Sequence, residues 1–278
     1  MATKTPRTKK KLTVATVNVN GVRAAVRRGM QPWLDGRDPD VLLLQEVRAP
    51  DAELRKALPG FSHVAHTEAA AKGRAGVAVA SKAEFSAVRI GFAHDPHFED
   101  SGRWIEVDVD TAVGPMTFVS AYVHSGEVGT PQQDDKYRFL DAMDVRLAEL
   151  GKVAADTGRE ALVAGDLNIG HTERDIKNWK GNRGKAGFLE DERAHFDHWF
   201  DALGWVDTQR RLAGDVDGPF AWWSWRGQAF DNDTGWRIDY QLVTPGLAER
   251  LRTVETDRAA SYAERFSDHA PVVAVYSA

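Results

Sequence analysis

Four apolar runs in this chain end in, or begin just after, side chains that carry oxygen and nitrogen ligands. Asn18 and Asn20 close ATVNVNG, Gln45 and Glu46 close VLLLQE, and Asp166 and Asn168 close LVAGDLN. Asp268 and His269, in FSDHAPV, stand at the opening of the last apolar run. A carboxylate buried at a strand end is costly unless something compensates it. A divalent cation does so, and hard ions such as Mg²⁺ take carboxylate, water and phosphate oxygens. Neutral amides add oxygens and donors without further charge that would repel a phosphate. A single imidazole in the set fits zinc poorly. Any one of these residues alone reads as a turn former or helix cap; four matching ends point to metal-assisted phosphate chemistry. Asp239, in GWRIDY, starts another apolar run and is available to orient an imidazole. Tyr122, in SAYVHSG, reads equally well as a phenol within reach of a phosphate and as a half-buried aromatic.

Elements that could place these groups are visible around them. LTVATVNVNG (12–21) reads as a strand ending at a turn, and 22–36 as a helix ended or kinked by Pro32. DVLLLQE (40–46) and GVAVAS (76–81) are short apolar strands. WIEVDVD (104–110) alternates, with Ile105, Val107 and Val109 on one face and Glu106, Asp108 and Asp110 on the other, as in a half-solvated strand. Its hairpin partner is 116–123. Tyr137, Leu140, Met143, Leu147 and Leu150 follow helical spacing, predicting a helix over 134–151 that ends near Gly151. A strand broken by Gly165 (161–168), a polar loop (170–187), a helix (190–203) and strands at 239–244 and 269–276 complete the reading. The pattern suits two packed sheets flanked by helices, with strand order left open.

Composition bounds the function classes. At 278 residues, 42% hydrophobic and 28% charged, the chain reads as a globular protein with a substantial core. No apolar run approaches the roughly 18 residues of a membrane helix. The basic start MATKTPRTKKKL is expected to be a disordered solubilising arm, with a loose nucleic-acid tether as the second reading. The absence of cysteine excludes disulfides and thiolate catalysis. A net charge of -5 argues against a protein that coats DNA indiscriminately, not against one that touches a few phosphates. No repeat or linker interrupts the sequence, so residues 12–278 are expected to form one catalytic domain after a tail at 1–11.

TVNVNGVRA, DVLLLQE, GRWIEVD, AYV, GDLNI, KGNRGKAGF, GWRIDY and SDHAPV occur in an order that resembles the exonuclease III type of apurinic/apyrimidinic endonucleases, within the endonuclease–exonuclease–phosphatase superfamily. The resemblance spans about residues 12–276. It implies an α/β fold: a four-layered α/β/β/α sandwich of two mixed sheets packed face to face with flanking helices. It also implies Mg²⁺ dependence, with Mn²⁺ as a substitute, and cleavage of the DNA backbone 5′ to abasic sites. Exonuclease (3′→5′) and 3′-phosphatase activities are expected beside it. By the same resemblance Glu46 is the principal metal ligand, with Asn18 and Asp268 as helpers near the ion. Some relatives carry Asp at the position of Asn20, which leaves the number of ions open. Asp166 is similar to the residue that holds or deprotonates the attacking water and Asn168 to one that contacts the scissile phosphate. His269 resembles the phosphate-binding imidazole, Asp239 its orienting partner, and Tyr122 a phenol near the phosphate.

Trp222, Trp236 and Ile238 fall where the family lines a pocket for an extruded base-less sugar, while Trp223 and Trp225 read as core. Flipping an abasic sugar costs little, since no stacked base is lost. NWKGNRGK supplies Asn178, Lys180, Asn182, Arg183 and Lys185 as phosphate-contact candidates, joined by Arg48 and Arg103. Such contacts grip DNA independently of sequence and weaken with salt. The expected partner is duplex DNA with abasic sites or blocked 3′ ends, met by a cytoplasmic, nucleoid-associated monomer. The rival readings are another phosphodiesterase of the superfamily and a catalytically silent DNA-binding protein.

Overall fold

Residues 11–278 are described by the computed structural model, and the basic tail lies outside them. The chain runs β1 (Lys11–Asn18), α1 (Val22–Arg27), α2 (Met30–Arg37), β2 (Val41–Gln45), α3 (Asp51–Ala57), β3 (His63–Thr67), β4 (Val77–Ser81), β5 (Phe85–Ile90), β6 (Trp104–Thr111), β7 (Gly114–Tyr122) and α4 (Pro131–Thr157). It continues through β8 (Glu160–Asp166), α5 (Trp179–Asn182), α6 (Glu190–Asp197), β9 (Val206–Asp207), α7 (Thr208–Ala213), β10 (Asp239–Val243), α8 (Pro245–Ala248), β11 (Leu251–Thr256) and β12 (Val272–Ser277). Among these elements no helix is long and apolar enough to cross a membrane.

Two mixed six-stranded sheets result, in the orders β11-β12-β1-β2-β4-β3 and β5-β6-β7-β8-β10-β9. Strand periodicity splits the apolar residues between two faces. Val14, Leu43 and Val79 of the first sheet meet Val107, Phe118 and Leu162 of the second, forming the layer between the sheets. Ala15, Val17, Leu42 and Leu44 point outward under α1–α3, where they pack with Val22, Met30 and Leu54. Val119, Ala121, Val163 and Leu242 do the same under α4 and α6, against Phe139, Met143 and Phe196. Because both faces of the central strands are covered, their sequences read as continuous apolar runs. This is the expected four-layered α/β/β/α sandwich.

Several boundaries differ from the sequence reading. The helix over 22–36 is two helices separated at Gly29 (φ 102°), and Pro32 sits in the first turn of α2, where a missing N–H costs little. α4 runs through Gly151 to Thr157 and ends at the left-handed Gly158. Glu106 of β6 is not solvated: α4 covers that face, and Arg146 and Arg89 pair with the buried carboxylate at 2.7 and 2.8 Å. The helix over 190–203 becomes α6 followed by a π-helical turn at His198–Ala202. Trp225 is half-exposed rather than core, its ring covered by the guanidinium groups of Arg265 (4.2 Å) and Arg28 (4.9 Å), whereas Trp223 is buried as expected.

Gly165 does not break β8. Its φ of 146° lets the Ala121 carbonyl of β7 approach, and a Cβ there would lie 2.0 Å from that oxygen. Gly165→Ala therefore combines backbone strain with a clash against a main chain that cannot yield, an expected cost of about 3–4 kcal/mol. Urea unfolding at fixed m-value measures it, and a midpoint equal to wild type would contradict the packing argument.

Candidate active site

Sheet topology carries the polar strand ends to one rim. β1 and β2 run parallel with Asn18 opposite Gln45, and β7 and β8 run parallel with Tyr122 opposite Asp166. β10 is antiparallel to β8, so its first residue, Asp239, pairs with Asp166 at the end of β8. β12 is antiparallel to β1, which puts the segment preceding it, with Asp268 and His269, beside Asn18. Ser267 staples that segment in place: its Oγ donates to the Asn18 carbonyl (2.7 Å) and accepts the His269 N–H (3.2 Å).

The polar groups then join across the two sheets. Asn18 Nδ2 donates to Glu46 Oε1 (3.1 Å) and to Asp166 Oδ2 (2.9 Å), spending both its protons on carboxylates of opposite sheets. Its Oδ1 accepts the Asn20 N–H at 3.0 Å, which fixes the amide that bridges the two carboxylates and leaves that oxygen a second lone pair. Tyr122 donates its hydroxyl to Glu46 Oε1 at 2.6 Å. Burial, reinforced by the charges of Glu46 and Asp166, pushes the phenol well above its ordinary range and keeps it a neutral donor. Asn20 Nδ2 donates to Asp268 Oδ1 (2.8 Å), and Arg48 Nη1 donates to Asn20 Oδ1 (2.8 Å). Asn20, Glu46, Arg48 and Asn168 all adopt left-handed backbone conformations, φ 45–51°, uncommon for residues with a Cβ. Such strain gathers where surrounding structure over-determines geometry, as it does at functional sites.

His269 is buried against two carboxylates. Its Nδ1 donates to Asp239 Oδ2 at 2.8 Å, and Nε2 lies 3.7 Å from Asp166 Oδ2. Burial alone would lower its pKa, but the charges of Asp239 and Asp166, with the hydrogen bond to Asp239, push it up to about 10. The group is an imidazolium at neutral pH. Burial moves Asp166 the other way for an acid; His269 opposes the shift, Asp239 and Glu46 add to it, and the carboxyl is pushed up to about 7. A charged donor and a carboxylate that titrates near neutrality thus stand side by side, which is the pairing that acid–base work needs.

The donor atoms of Asp166, Asp239 and His269 lie within 4.8 Å of one another, but a protonated imidazole already supplies positive charge there. Glu46 is the second candidate position for a cation. Its Oε2 is buried and forms an ion pair with Arg48 Nη2. A buried carboxylate with amide oxygens at Asn18 and Asn20 beside it fits a hard divalent ion taking oxygen ligands, with Arg48 as the cation that now meets its charge.

The flanking candidates divide. Trp222 and Trp236 are half-buried and meet edge to face at 6.0 Å; Trp222 lies 6.4 Å from the His269 ring and donates Nε1 to Asp268 Oδ2 at 3.2 Å. Ile238 is buried behind them. Arg103 is half-buried, packs 4.5 Å over the Tyr122 ring and donates to the Tyr122 carbonyl at 3.2 Å. Asn178, Lys180, Arg183 and Lys185 are exposed, and Asn182 is half-buried, donating to the Asn178 carbonyl at 2.9 Å. These five do not join the carboxylate cluster; they lie on a segment moored beside Trp236 by the Ile176–Trp236 bridge and by Gly187, which packs on the Trp236 ring. Sequence reading missed Arg237. Fully buried between Trp236 and Ile238, it donates to Asp175 and Asp207 at 2.7 Å each and so fixes the strand entry that holds Asp239. A charged residue inside an otherwise aromatic and apolar segment was the available signal.

Comparison with known proteins identifies the family and the fold. A profile described as the Endonuclease/Exonuclease/phosphatase family matches residues 15–269. The exodeoxyribonuclease of Bacillus subtilis is 34% identical over 256 residues, covering 92% of this chain and 95% of the relative. Among solved structures, an AP endonuclease from Archaeoglobus fulgidus superposes with a TM-score of 0.82 at 28% identity, covering 96% of this chain and all of the other. A 3′ phosphatase from Neisseria bound to a product DNA hairpin gives 0.83 at 25% identity, with the same coverage.

Proposed function

The chain belongs to the endonuclease/exonuclease/phosphatase family, and we propose that it is a DNA-repair phosphodiesterase. It hydrolyses the DNA backbone on the 5′ side of abasic sites, with Mg²⁺ as cofactor, and also removes nucleotides and phosphate from 3′ ends. The observation that carries this reading is the convergence of Glu46, Asp166 and His269, from three distant parts of the sequence, on one rim through Asn18 and Asp239. The similarity to an exodeoxyribonuclease, an AP endonuclease and a 3′ phosphatase supports the choice of substrate.

Glu46 and Asp268 would hold the ion, and when bound it supplies charge neutralisation at the phosphate oxygens. His269 donates its Nε2 proton as a hydrogen bond to a non-bridging oxygen, where charge accumulates during attack. Asp166 takes a proton from water; the water oxygen bonds to phosphorus, the bond from phosphorus to the 3′ oxygen breaks, and that oxygen leaves to be protonated. No covalent enzyme intermediate is needed. Tyr122 and Asn168 steady the phosphate. Trp222 and Trp236 wall the seat of the base-less sugar, and Arg48, Arg103 and the basic 178–185 segment grip the flanking backbone.

An end-labelled duplex with one abasic analogue tests the reading. A single nick 5′ to the lesion is expected with Mg²⁺, none with EDTA, and slower trimming from the 3′ end. Equal cutting of intact duplex would favour a general phosphodiesterase, and no cutting with metal present would reject the assignment.

A further inference from the structure

Behind the rim, the second turn of α4 carries a charge that the proposed chemistry does not use. Lys136 is fully buried, and its ammonium makes three contacts: the Asn168 carbonyl at 2.9 Å, the Ser125 carbonyl at 3.2 Å and Glu192 Oε1 at 2.8 Å. Glu192, equally buried, also accepts Gln133 Nε2 (3.0 Å) and, through Oε2, the N–H groups of Gly187 (2.7 Å) and Leu189 (3.1 Å). One ion pair therefore ties the exit of β7, the exit of β8 and the 187–189 turn behind Trp236. Gly126 leaves room for it; a Cβ there would lie 3.0 Å from Lys136 Cδ.

Stability alone does not account for such a pair. Removing two charges from water costs nearly what their attraction returns, and apolar replacements of similar shape are often as stable. What an apolar pair could not do is hold two carbonyls. Asn168 is the more consequential of them. Its backbone is left-handed, its N–H donates to Asp166 Oδ1 (3.0 Å) and its Nδ2 donates to the Val123 carbonyl (2.9 Å). Its carbonyl lies in the peptide that follows Asn168 and its N–H in the one that precedes it, so holding the carbonyl fixes the residue's ψ and, with the two other bonds, locks Asn168 in place beside Asp166.

We propose that Lys136 is a positioning residue for phosphodiester cleavage: the ammonium, locked by Glu192, holds the Asn168 carbonyl and thereby fixes Asn168 and Asp166 against the scissile phosphate. The inference rests on the proposed nuclease function. Small displacements of reacting groups cost up to about a hundredfold in rate, so a loss of about ten- to a hundredfold is expected.

Lys136→Met alone leaves Glu192 uncompensated and risks misfolding, so the test uses Lys136→Met with Glu192→Gln, which preserves shape and removes both charges. This variant should stay folded with a urea midpoint lowered by no more than the cost of two unpaired carbonyls, and on abasic duplex should keep KM within about threefold and lose kcat by the stated factor. Combined with Asn168→Ala, it should add less than about a twofold loss, because both changes act through one residue. Amide exchange should rise at 123–126 and 167–170. Undiminished kcat in the charge-free variant, or a full additional loss on top of Asn168→Ala, would overturn the proposal. A wild-type enzyme that nicks no abasic duplex would instead overturn the functional reading beneath it.

Discussion

Glu46→Gln is expected to lower kcat on abasic duplex about a thousandfold or more while leaving the fold intact, the scale reached when a transition state loses its charge stabilisation. The substitution keeps the length of the side chain. Its oxygen can still accept from Tyr122 and Asn18, which meet Oε1 in the wild type. The position of Oε2 changes from an anion to an amide that donates hydrogen bonds. That oxygen is buried and pairs with Arg48, so the change removes the anion a cation would need together with one ion pair, and leaves packing in place. Stability gives a readout that needs no DNA. A ligand that binds only the folded chain raises its melting temperature in proportion to the logarithm of ligand over Kd. Wild type should therefore melt higher as Mg²⁺ is added, and Glu46→Gln should show little response. Without metal the variant should melt slightly below wild type, because the ion pair with the partly exposed Arg48 is lost. An equal Mg²⁺ response in the two proteins would move the ion away from Glu46.

How much of this site could be read from sequence follows from what kind of contact each residue makes. Asn18, Glu46, Asp166, Asp239 and His269 were legible because each interrupts or borders an apolar run, and sandwich topology then carries strand ends to one rim. Their pairings were not legible. Asn18 lies 148 residues from Asp166, and nothing local indicates that one amide spans two sheets. Covered strands such as β2 and β8 declared themselves by continuous apolar sequence, whereas β5 and β11, with mixed burial at the sheet edges, did not. Tertiary contact also overrode local signals: Glu106 looked solvated until α4 closed over it, and Gly165 looked like a break although it marks a close backbone approach. Lys136 and Arg237 escaped notice for a related reason. Charged residues are ordinarily exposed, and only the partners Glu192, Asp175 and Asp207 explain their burial.

Asp239→Asn is expected to shift the pH range of activity to lower pH and to lower kcat near pH 8.5 by about a hundredfold, within the usual range for impaired proton-transfer partners. On the proposed mechanism, the working form of the wild type needs Asp166 ionised and His269 protonated. With the carboxyl pushed up to about 7 and the imidazole up to about 10, activity rises through the first value and falls through the second. Asparagine can still accept the Nδ1 proton, but the carboxylate charge that raises the imidazole pKa is gone, while burial continues to lower it. The alkaline limb must therefore move to lower pH. The acid limb moves down as well, because Asp239 is among the charges that raise Asp166. Folding stability should follow the same sign. A histidine raised from 6.5 to about 10 stabilises the fold fully below pH 6.5 and loses that contribution as pH climbs through 10. The stability deficit of Asp239→Asn should accordingly be largest in mild acid and close toward pH 10. If the alkaline limb stayed in place while kcat fell, Asp239 would be holding the imidazole's position alone, and the charge assigned to His269 would be wrong.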